Sequence, residues 1–588
     1  MFGYDSKKTI NSEEDQREFS ESFNFNPQMG TEYKLTKQGE RPGIPYLLDP
    51  NQDGVMEGTD GCTQKLFKPL HTGKLDMHSG IAPIYASIYQ GENNRTIVNN
   101  SSPLRSMERT VEGSYIDKDA KTIILPRSVR SIGDRAFSNF ENLQRIIIPE
   151  DVTEIGDSAF ESCSSLTEIK IPEGVTEIGE RAFSGCTNLS KINIPNGVTR
   201  IGHGTFEECS SLTEIEILNG VTEIGDSAFE SCSSLTEIKI PEGVTEIGER
   251  AFERCSSLTE IKIPEGVTEI GEIAFSGCTN LSKINIPDGV TEIGEGAFYE
   301  CRNLTEIRIP NGVTEIGDSA FENCSSLTEI KIPEGVTEIG ERAFDGCTNL
   351  SKINIPDGVT RIGYGTFEKC SSLTEIKIPN GVTEIGGRAF DGCTNLSKIN
   401  IPDGVTKIGY GEFRDCSSLT EIKIPNGVTE IGERAFSGCT NLSKINIPDG
   451  VTEIDKEAFC KCGNLTEIKI PDGVTEIGDF TFAGCSSLTE IKIPDGVTEI
   501  GNNVFAGCIN LTKIDIPDSV TKIGDYAFAN CRNLTKIDIP DSVTKIGNAA
   551  FYDCSNITEV NISNGDTEIG VCAFIGCPKL NNASLKLY

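Results

Sequence analysis

Hydrophobic positions return every 23 residues along most of the chain. Phenylalanine fills one position of this period twenty times, from Phe137 to Phe574, and leucine fills another from Leu143 to Leu580 with one isoleucine substitute. Residues 166–188 show one unit, LTEIKIPEGVTEIGERAFSGCTN. Its Leu-x-x-Ile-x-Ile part alternates apolar and polar residues at the end, which predicts a short strand with one buried face. Pro172 ends this strand because proline cannot donate to a β-ladder.

The rest of the unit predicts a turn, a second extended piece and a compact return. Glu-Gly or Asp-Gly is typical of a turn, Val175-x-x-Ile178 predicts the second strand, and EIGERAFSGC predicts a single helical or 3₁₀ turn. One unit buries too few side chains to offset the entropy of ordering 23 residues. Coils must therefore stack, with strands that hydrogen-bond from coil to coil. We expect about twenty coils in a curved rod.

The pattern LxxIxIPxxVTxIGxxAFxxCxx, seen at 166–188, resembles the BspA-like class of leucine-rich repeat. The resemblance covers about four-fifths of the chain. It implies an α/β repeat solenoid, a right-handed leucine-rich-repeat horseshoe or rod with a parallel β-sheet and short helical or 3₁₀ turns. We expect a non-repeat region at 1–110 and a solenoid at 111–588 that includes terminal caps. Members of this class are commonly surface or secreted proteins that bind host proteins, matrix or other cells.

The charge and hydropathy of the chain limit the classes of molecule that it can bind. The formal net charge is −36, from 89 acidic and 53 basic residues, so nucleic acid and anionic membrane surfaces would be repelled and a cation or a basic protein would be attracted. No stretch reaches the roughly 18 apolar residues of a membrane-spanning helix. The N-terminus lacks the apolar segment of a secretory signal. These features predict a cytoplasmic or non-classically exported protein, whereas the family resemblance implies the cell surface or secretion.

Nineteen cysteines follow the same period, from Cys163 to Cys577, and Phe140 takes their place in the first unit. Because these positions are equivalent, the pattern does not indicate which cysteines would pair in disulfides. It also lacks the paired spacing and the histidines of a zinc site. The replacement by phenylalanine indicates an apolar position, so we expect small buried hydrophobic residues, in a reducing compartment or sealed from oxidants. Cys460 and Cys462 form one local pair for which a redox role is the alternative.

Two sets of outward positions are candidate binding surfaces. One follows the first strand of each unit and mixes both signs of charge, so a charge ladder that neutralises itself is the alternative to a ligand surface. The resemblance implies that this strand face binds the ligand. Its candidate residues are Glu168, Lys170, Lys191, Glu214, Glu237, Lys239, Lys283 and Glu306.

The second set is a series of glutamates at the same position of six consecutive units. Three residues further along the chain, each of these units carries a second acidic residue. Like charges on neighbouring coils repel one another, which predicts attraction for cations or for a basic protein surface; a solvated acidic flank is the alternative. The glutamates of the first row are Glu223, Glu246, Glu269, Glu292, Glu315 and Glu338. The second row contains Asp226, Glu249, Glu272, Glu295, Asp318 and Glu341.

The first 110 residues lack the 23-residue period and contain DPNQDGVMEGTD at 49–60. This spacing fits a calcium loop with a glycine at the sharp turn. Its last ligand is the shorter aspartate, and an ordinary turn is the alternative. The candidate calcium ligands are Asp49, Asn51, Asp53, Val55, Glu57 and Asp60.

No cofactor is required by any of these patterns, and no catalytic motif is present. The sequence therefore predicts a protein-binding solenoid rather than an enzyme. Adhesion or host-protein interaction follows from the resemblance. An intracellular scaffold or effector is the alternative, favoured by the unpaired thiols.

Overall fold

The structure is a computed structural model that describes residues 120–125 and 129–580 in full and the backbone of five further strands. Those strands are Gly54–Glu57, Thr63–Leu66, Ala86–Gly91, Arg95–Asn100 and Leu585–Leu587. The chain divides into two compact units, Met1–Val267 and Thr268–Tyr588. Within each unit, 23-residue coils stack as a parallel β-solenoid, as the sequence predicts.

Each coil contributes two short strands. The strand from Leu-x-x-Ile-x-Ile pairs in parallel with its equivalent one coil away, as in Lys191 opposite Glu214, and these strands form the first strand row. The strand from Val-x-x-Ile pairs in the same way, as in Arg200 opposite Glu223, and forms the second strand row. Both registers equal the 23-residue period, so one inserted residue would turn a coil's apolar set outward.

In the first unit, the first strand row contains Thr122–Ile124, Arg145–Ile147, Glu168–Ile169, Lys191–Asn193, Glu214–Glu216, Glu237–Lys239 and Glu260–Lys262. Its second strand row contains Ser131–Ile132, Glu154–Ile155, Glu177–Ile178, Arg200–Ile201, Glu223–Ile224 and Glu246–Ile247.

In the second unit, the first strand row contains Lys283–Asn285, Glu329–Lys331, Lys352–Asn354, Glu375–Lys377, Lys398–Asn400, Glu421–Lys423, Lys444–Asn446, Glu467–Ile468, Glu490–Lys492, Lys513–Asp515, Lys536–Ile539, Glu559–Ile562 and Leu585–Leu587. Its second strand row contains Glu269–Ile270, Glu292–Ile293, Glu315–Ile316, Glu338–Ile339, Arg361–Ile362, Glu384–Ile385, Lys407–Ile408, Glu430–Ile431, Glu453–Ile454, Glu499–Ile500, Lys522–Ile523, Lys545–Ile546 and Glu568–Ile569.

The first sheet begins before the repeats. Strand Arg95–Asn100 pairs in parallel with Thr122–Ile124, and Ala86–Gly91 pairs with Arg95–Asn100 antiparallel. Two strands from the predicted non-repeat region therefore continue the first strand row. A separate antiparallel hairpin joins Gly54–Glu57 to Thr63–Leu66.

The predicted helical turn is wrong, since the described residues contain no helix. In the segment from Gly179 to Cys186, backbone N–H groups donate alternately to a carbonyl of their own coil and to a carbonyl of a neighbouring coil. Ala182 and Cys186 donate to the carbonyls of Gly179 and Phe183, three residues earlier, while Phe183 donates to Thr205 on the next coil. A helix would direct every N–H along its own axis, so these donations between coils make the segment a run of β-turns.

The core is a column of phenylalanine rings with aliphatic side chains around it. The rings from Phe137 to Phe252 are stacked, with centroids 5.4–5.6 Å apart in the first unit. In the second unit the spacing ranges from 5.1 to 5.7 Å. The strictly repeated phenylalanine thus has one partner above and one below, and a smaller side chain would leave a cavity in every such contact.

The cysteines on the repeat are buried and unpaired, as predicted. Most of these thiols also donate a hydrogen bond to a backbone carbonyl, which the sequence does not reveal. For example, the Cys186 thiol donates to the carbonyl oxygen of Phe160, 3.2 Å away, and Cys324 donates to Phe298 over 3.1 Å. Burial raises the pKa of the Cys186 thiol far above its ordinary value, so these cysteines are inert hydrogen-bond donors.

Candidate functional site

The outward face of the first strand row is exposed and its charges pair within the surface. In the first unit, Lys191 forms an ion pair with Glu214 on the next coil, and Lys170 Nζ lies 2.9 Å from Glu150 Oε1. Glu168 lies 3.9 Å from Arg145. Each of these pairs is substantially solvated, so each contributes only a few tenths of a kcal/mol. The predicted self-neutralising ladder is therefore present here.

Other predicted residues of this face carry no ion pair among the described residues. Glu237 and Lys239 in the first unit and Lys283 and Glu306 in the second unit are all exposed. In the second unit, charge also alternates from coil to coil, because Glu375 lies opposite Lys398 in the strand register. The face is thus a mixed-charge surface with solvated side chains.

The glutamates of the second strand row divide between the two units. Glu223 and Glu246 lie in register in the first unit, and Arg200 Nε contacts Glu223 Oε1 at 2.7 Å. In the second unit, four glutamates lie in register on consecutive coils. They are Glu269, Glu292, Glu315 and Glu338.

The four glutamates of the second unit form no ion pair among the described residues. Arg361, on the next coil, lies 3.5 Å from Glu341 and from Glu384 instead. Burial raises the pKa of Glu315, and the carboxylates of Glu338 and Glu292 raise it further. We call this unneutralised set, Glu269 to Glu338, the acidic row.

The second predicted acidic row contains two kinds of residue. Asp226 Oδ1 accepts a hydrogen bond from the Glu249 backbone N–H at 2.9 Å, and Asp318 does the same for Glu341 at 2.6 Å. These aspartates therefore join one coil to the next. The glutamates Glu272 and Glu295 are exposed and remain available to a ligand.

Sequence reasoning misses a row of buried carboxylates in the second unit. It occupies the position after the repeated phenylalanine and contains Glu322, Asp345, Glu368 and Asp391. Arg388 links two of them, with guanidinium nitrogens 2.8 Å from Glu368 Oε1 and 2.9 Å from Asp391 Oδ2. Burial raises the pKa of Asp345 to about 6, with a smaller increase from Glu368. This position is also acidic in other copies, as in Glu161 and Glu230, so the residue type alone gives no signal that these four carboxylates are buried.

Glu412 is a further buried carboxylate that sequence reasoning misses. It replaces the repeated alanine or threonine and is fully buried. One carboxylate oxygen accepts from the Gly409 N–H at 2.7 Å, and the other has no hydrogen-bond partner. Burial raises the pKa of Glu412 to about 8.

Two tyrosines interrupt the acidic residues of the turn segment in the second unit. After Glu341, the equivalent positions on successive coils hold Tyr364, Gly387 and Tyr410. Arg342 lies over the Tyr364 ring, 5.9 Å from its centroid. Arg388 and Arg434 follow the tyrosines along the chain, and Arg434 Nη1 lies 3.4 Å from the Tyr410 hydroxyl. This alternation of arginine and tyrosine occurs at one place in the described chain.

Four of the predicted calcium ligands, Asp49, Asn51, Asp53 and Asp60, lie outside the described residues. Val55 and Glu57 belong to the backbone of strand Gly54–Glu57. The calcium loop stays a prediction. Among the described residues, no group of three His, Cys, Asp or Glu side chains could hold a metal ion.

Comparison with known families assigns the repeats. The model of the BspA type leucine rich repeat region (6 copies) matches residues 112–236, 222–351, 291–420, 337–466 and 452–581. The chain belongs to the BspA-type leucine-rich-repeat family. A search among curated proteins finds no match. The described part of this BspA-type chain contains no helix that could span a membrane.

Solved leucine-rich-repeat proteins from two bacteria are similar to the chain. One from Bacteroides ovatus is 34% identical, with a TM-score of 0.45, over 57% of this chain and 81% of that one. A leucine rich cell surface protein from Faecalibacterium prausnitzii is 28% identical, with a TM-score of 0.33, over 74% of this chain and 95% of that one. The family assignment rests on the repeat model rather than on these superpositions.

Proposed function

We propose that this BspA-type protein binds a partner protein through the outward surfaces of its coils and serves in adhesion or host-protein interaction. The acidic row carries the proposal. Four carboxylates in register, one coil apart and without a cation, repel one another. A basic protein surface relieves this repulsion, and the same ligand group meets the same geometry on each coil, so avidity adds to each weak contact.

Charge reversal tests this proposal. The variant Glu292→Lys, Glu315→Lys, Glu338→Lys should lose most of its binding to immobilised poly-L-lysine, measured on the full chain by biolayer interferometry. The matched control is Glu375→Lys, Glu421→Lys, Glu467→Lys, which reverses three charges of the same unit on the first strand row. Equal losses in both variants would assign the binding to net charge and would overturn the acidic row.

An intracellular scaffold or effector is the second candidate function. The observation that favours it is the set of buried, unpaired thiols on the repeat, since proteins in oxidising compartments usually form disulfides. Protease shaving of intact source cells, followed with an antibody to the repeats, distinguishes the two. Loss of the antibody signal with a cytosolic control intact supports adhesion. Full protection of the repeats supports the scaffold.

A further inference from the structure

We infer that Asn311 in the second unit is a site of non-enzymatic deamidation, and that the aspartate formed there pairs with Lys331 on the next coil. Asn311 and Gly312 form the turn that follows Pro310. The inference goes beyond the proposed function, because it concerns a chemical modification of the chain and needs no partner protein. It rests on the hydrogen bonding of this turn and on the charges beside it.

The Asn311–Gly312 turn is exposed and leaves the reacting groups without hydrogen bonds. The turn is closed by the Val313 N–H, which donates to the Pro310 carbonyl oxygen at 3.2 Å. Among the described residues, the Gly312 N–H and the Asn311 side-chain amide have no hydrogen-bond partner. Glycine also carries no Cβ atom that would shield its nitrogen. The Gly312 nitrogen can therefore approach Asn311 Cγ without breaking a hydrogen bond of either group.

The reaction requires only water. The backbone nitrogen of Gly312 bonds to Cγ of Asn311, the Cγ–Nδ2 bond breaks, and Nδ2 leaves as ammonia with the proton that the Gly312 nitrogen gives up. Water then opens the succinimide ring: its hydroxyl adds to a ring carbonyl, and its other hydrogen returns to the nitrogen. Opening at Cγ gives aspartate. Opening at the backbone carbonyl gives isoaspartate, which adds one atom to the main chain.

The aspartate product fits this turn, because other coils already carry aspartate there. One coil earlier, Asp288 occupies the equivalent position, and its turn is closed by the same hydrogen bond, from Val290 to Pro287 at 3.2 Å. Isoaspartate fits less well. A Cβ atom added at Gly312 would lie 3.2 Å from the Val290 carbonyl oxygen, so a longer main chain would push the turn against the previous coil. The stack therefore favours aspartate.

An acidic residue at this turn position can pair with a basic residue that follows it by 20 residues, on the next coil. In the second unit, Asp288 Oδ1 lies 2.7 Å from Arg308 Nη2, and Asp449 Oδ1 lies 2.8 Å from Lys469 Nζ. Other lysines follow an aspartate at the same spacing and form no ion pair among the described residues. They are Lys377, Lys423 and Lys492. The carboxylate thus makes the pair possible, and the conformation of the lysine completes it.

Lys331 lacks such a carboxylate, because Asn311 is the residue 20 positions before it. Lys331 is exposed and forms no ion pair within the described part of the chain. It also lies opposite Arg308 on the previous coil, and like charges on neighbouring strands repel one another. Deamidation of Asn311 supplies the missing carboxylate and reduces this repulsion. The first strand row then presents one unpaired cation fewer.

The chain contains six Asn-Gly sequences, and two of them serve as internal controls. The six asparagines are Asn196, Asn219, Asn311, Asn380, Asn426 and Asn564. Asn380 has no basic residue 20 positions later. Asn564 is held by two hydrogen bonds: its Nδ2 donates to the Asp541 carbonyl oxygen at 3.2 Å, and its Oδ1 accepts from the Asp566 N–H at 3.0 Å. Because its amide must leave both partners before it reacts, Asn564 should deamidate more slowly than Asn311.

Incubation of the folded full chain in water labelled with heavy oxygen, at mildly alkaline pH, tests the modification, because a deamidated residue takes its new oxygen from the solvent. Peptide mass spectrometry should find labelled aspartate at 311 and little label at 564.

The variant Asn311→Asp tests the ion pair. Hydrogen bonds to their acidic partners raise the pKa of Lys262 and of Lys469, so a paired lysine offers less of the neutral amine. Acylation of Lys331 by an N-hydroxysuccinimide ester should therefore fall roughly twofold in the variant, the effect of a solvated ion pair. The matched control is Asn380→Asp, which adds the same charge two turns away from Asn311 and should leave acylation of Lys331 unchanged.

Different results would overturn the two parts of the inference. Absence of label at 311, over an incubation that labels the same chain in urea, would overturn the modification. Equal labelling at 311 and 564 would show that hydrogen bonding in the turn has no influence and would overturn the structural argument. Unchanged acylation of Lys331 in Asn311→Asp, or isoaspartate as the main product at 311, would overturn the ion pair. Binding to poly-L-lysine is measured separately, so these results leave the proposed function standing.

Discussion

Glu412 is a carboxylic acid in a position built for alanine or threonine, so replacing it should stabilise the protein. In three other coils the same position holds Thr205, Thr366 and Thr481, whose hydroxyls donate to glycine carbonyls three residues earlier at 2.9, 3.0 and 2.6 Å. Glu412 makes one hydrogen bond and leaves an oxygen without a partner. We therefore expect Glu412→Thr to restore the local contact and to remove a buried ionisable group.

The magnitude follows from the pKa. Burial raises the pKa of Glu412 from 4.5 to about 8, and each pKa unit corresponds to about 1.4 kcal/mol. Because the folded state binds the proton more tightly than the unfolded state, stability falls as the pH rises from 4.5 to 8. This cost is about 3 kcal/mol at pH 7 and about 5 kcal/mol at pH 9, and it vanishes below pH 4. Glu412→Thr should recover it.

Hydrogen exchange of the full chain measures this locally, since a repeat protein need not unfold in one step. The Phe390 amide donates to the Glu412 carbonyl at 2.9 Å, so peptides covering Phe390 and 409–413 should exchange more slowly in the variant, increasingly from pH 5 to pH 9. Thr366→Glu is the reciprocal control and should lose protection. Equal protection of variant and wild type at pH 9 would refute the buried-charge argument. A gain that does not depend on pH would assign the effect to packing.

Three further predictions concern single residues of the second unit. Gly340→Ala should destabilise the folded chain by about 2 kcal/mol or more, since the added Cβ would overlap the backbone nitrogen of Asp318. Gly381→Ala is the control and should be tolerated, because its Cβ would lie 3.6 Å from the nearest atom, the carbonyl oxygen of Asp357. Thermal unfolding of the two variants measures the difference. Asp345→Asn should stabilise the folded chain by up to about 3 kcal/mol at pH 7 and by little at pH 4, because burial raises the pKa of Asp345 from 3.8 to about 6 and the folded state loses stability as the pH rises between these two values. A series of thermal melts from pH 4 to pH 7 in which the gain is constant would contradict this. Of the described cysteines, only Cys572 is exposed, so iodoacetamide at pH 8 should modify it in the folded chain and leave those on the repeat intact, as peptide mass spectrometry would show; rapid labelling of Cys324 would contradict the buried position.

The repetitive features of the fold could be predicted because each is copied in every coil. The 23-residue spacing of Phe137 and its equivalents predicts the stacked column, and Leu-x-x-Ile-x-Ile predicts the first strand row. The turn segment could not be predicted from its residues. Arg181 and Gly185 both have positive φ values, and the donation of Phe183 to the next coil depends on the stack itself. A local pattern cannot distinguish this arrangement from one helical turn.

The candidate surfaces could be predicted only in part, for the same reason. The exposed charges of the first strand row and the register of the acidic row follow from the period. The second acidic row contains aspartates and glutamates that behave differently because their side chains differ in length. The shorter carboxylate of Asp318 accepts a hydrogen bond from the backbone of the next coil, whereas the carboxylate of Glu295 does not join coils. The buried row around Glu368 and the arginine–tyrosine alternation depend on pairs that are 20 to 24 residues apart, and no repeat rule describes them.

The repeated and the unrepeated features of the surface therefore have different consequences for binding. On the first strand row, most coils present either Glu-x-Lys or Lys-x-Asn, so a partner that slides by two coils meets nearly the same surface. Such a face supports avidity but cannot fix a register. The arginine–tyrosine alternation from Arg342 to Arg434 occurs once in the described chain, and it lies directly after the glutamates of the turn position. A long basic partner held by repeated charges takes a single register only where it also contacts an unrepeated feature such as this one.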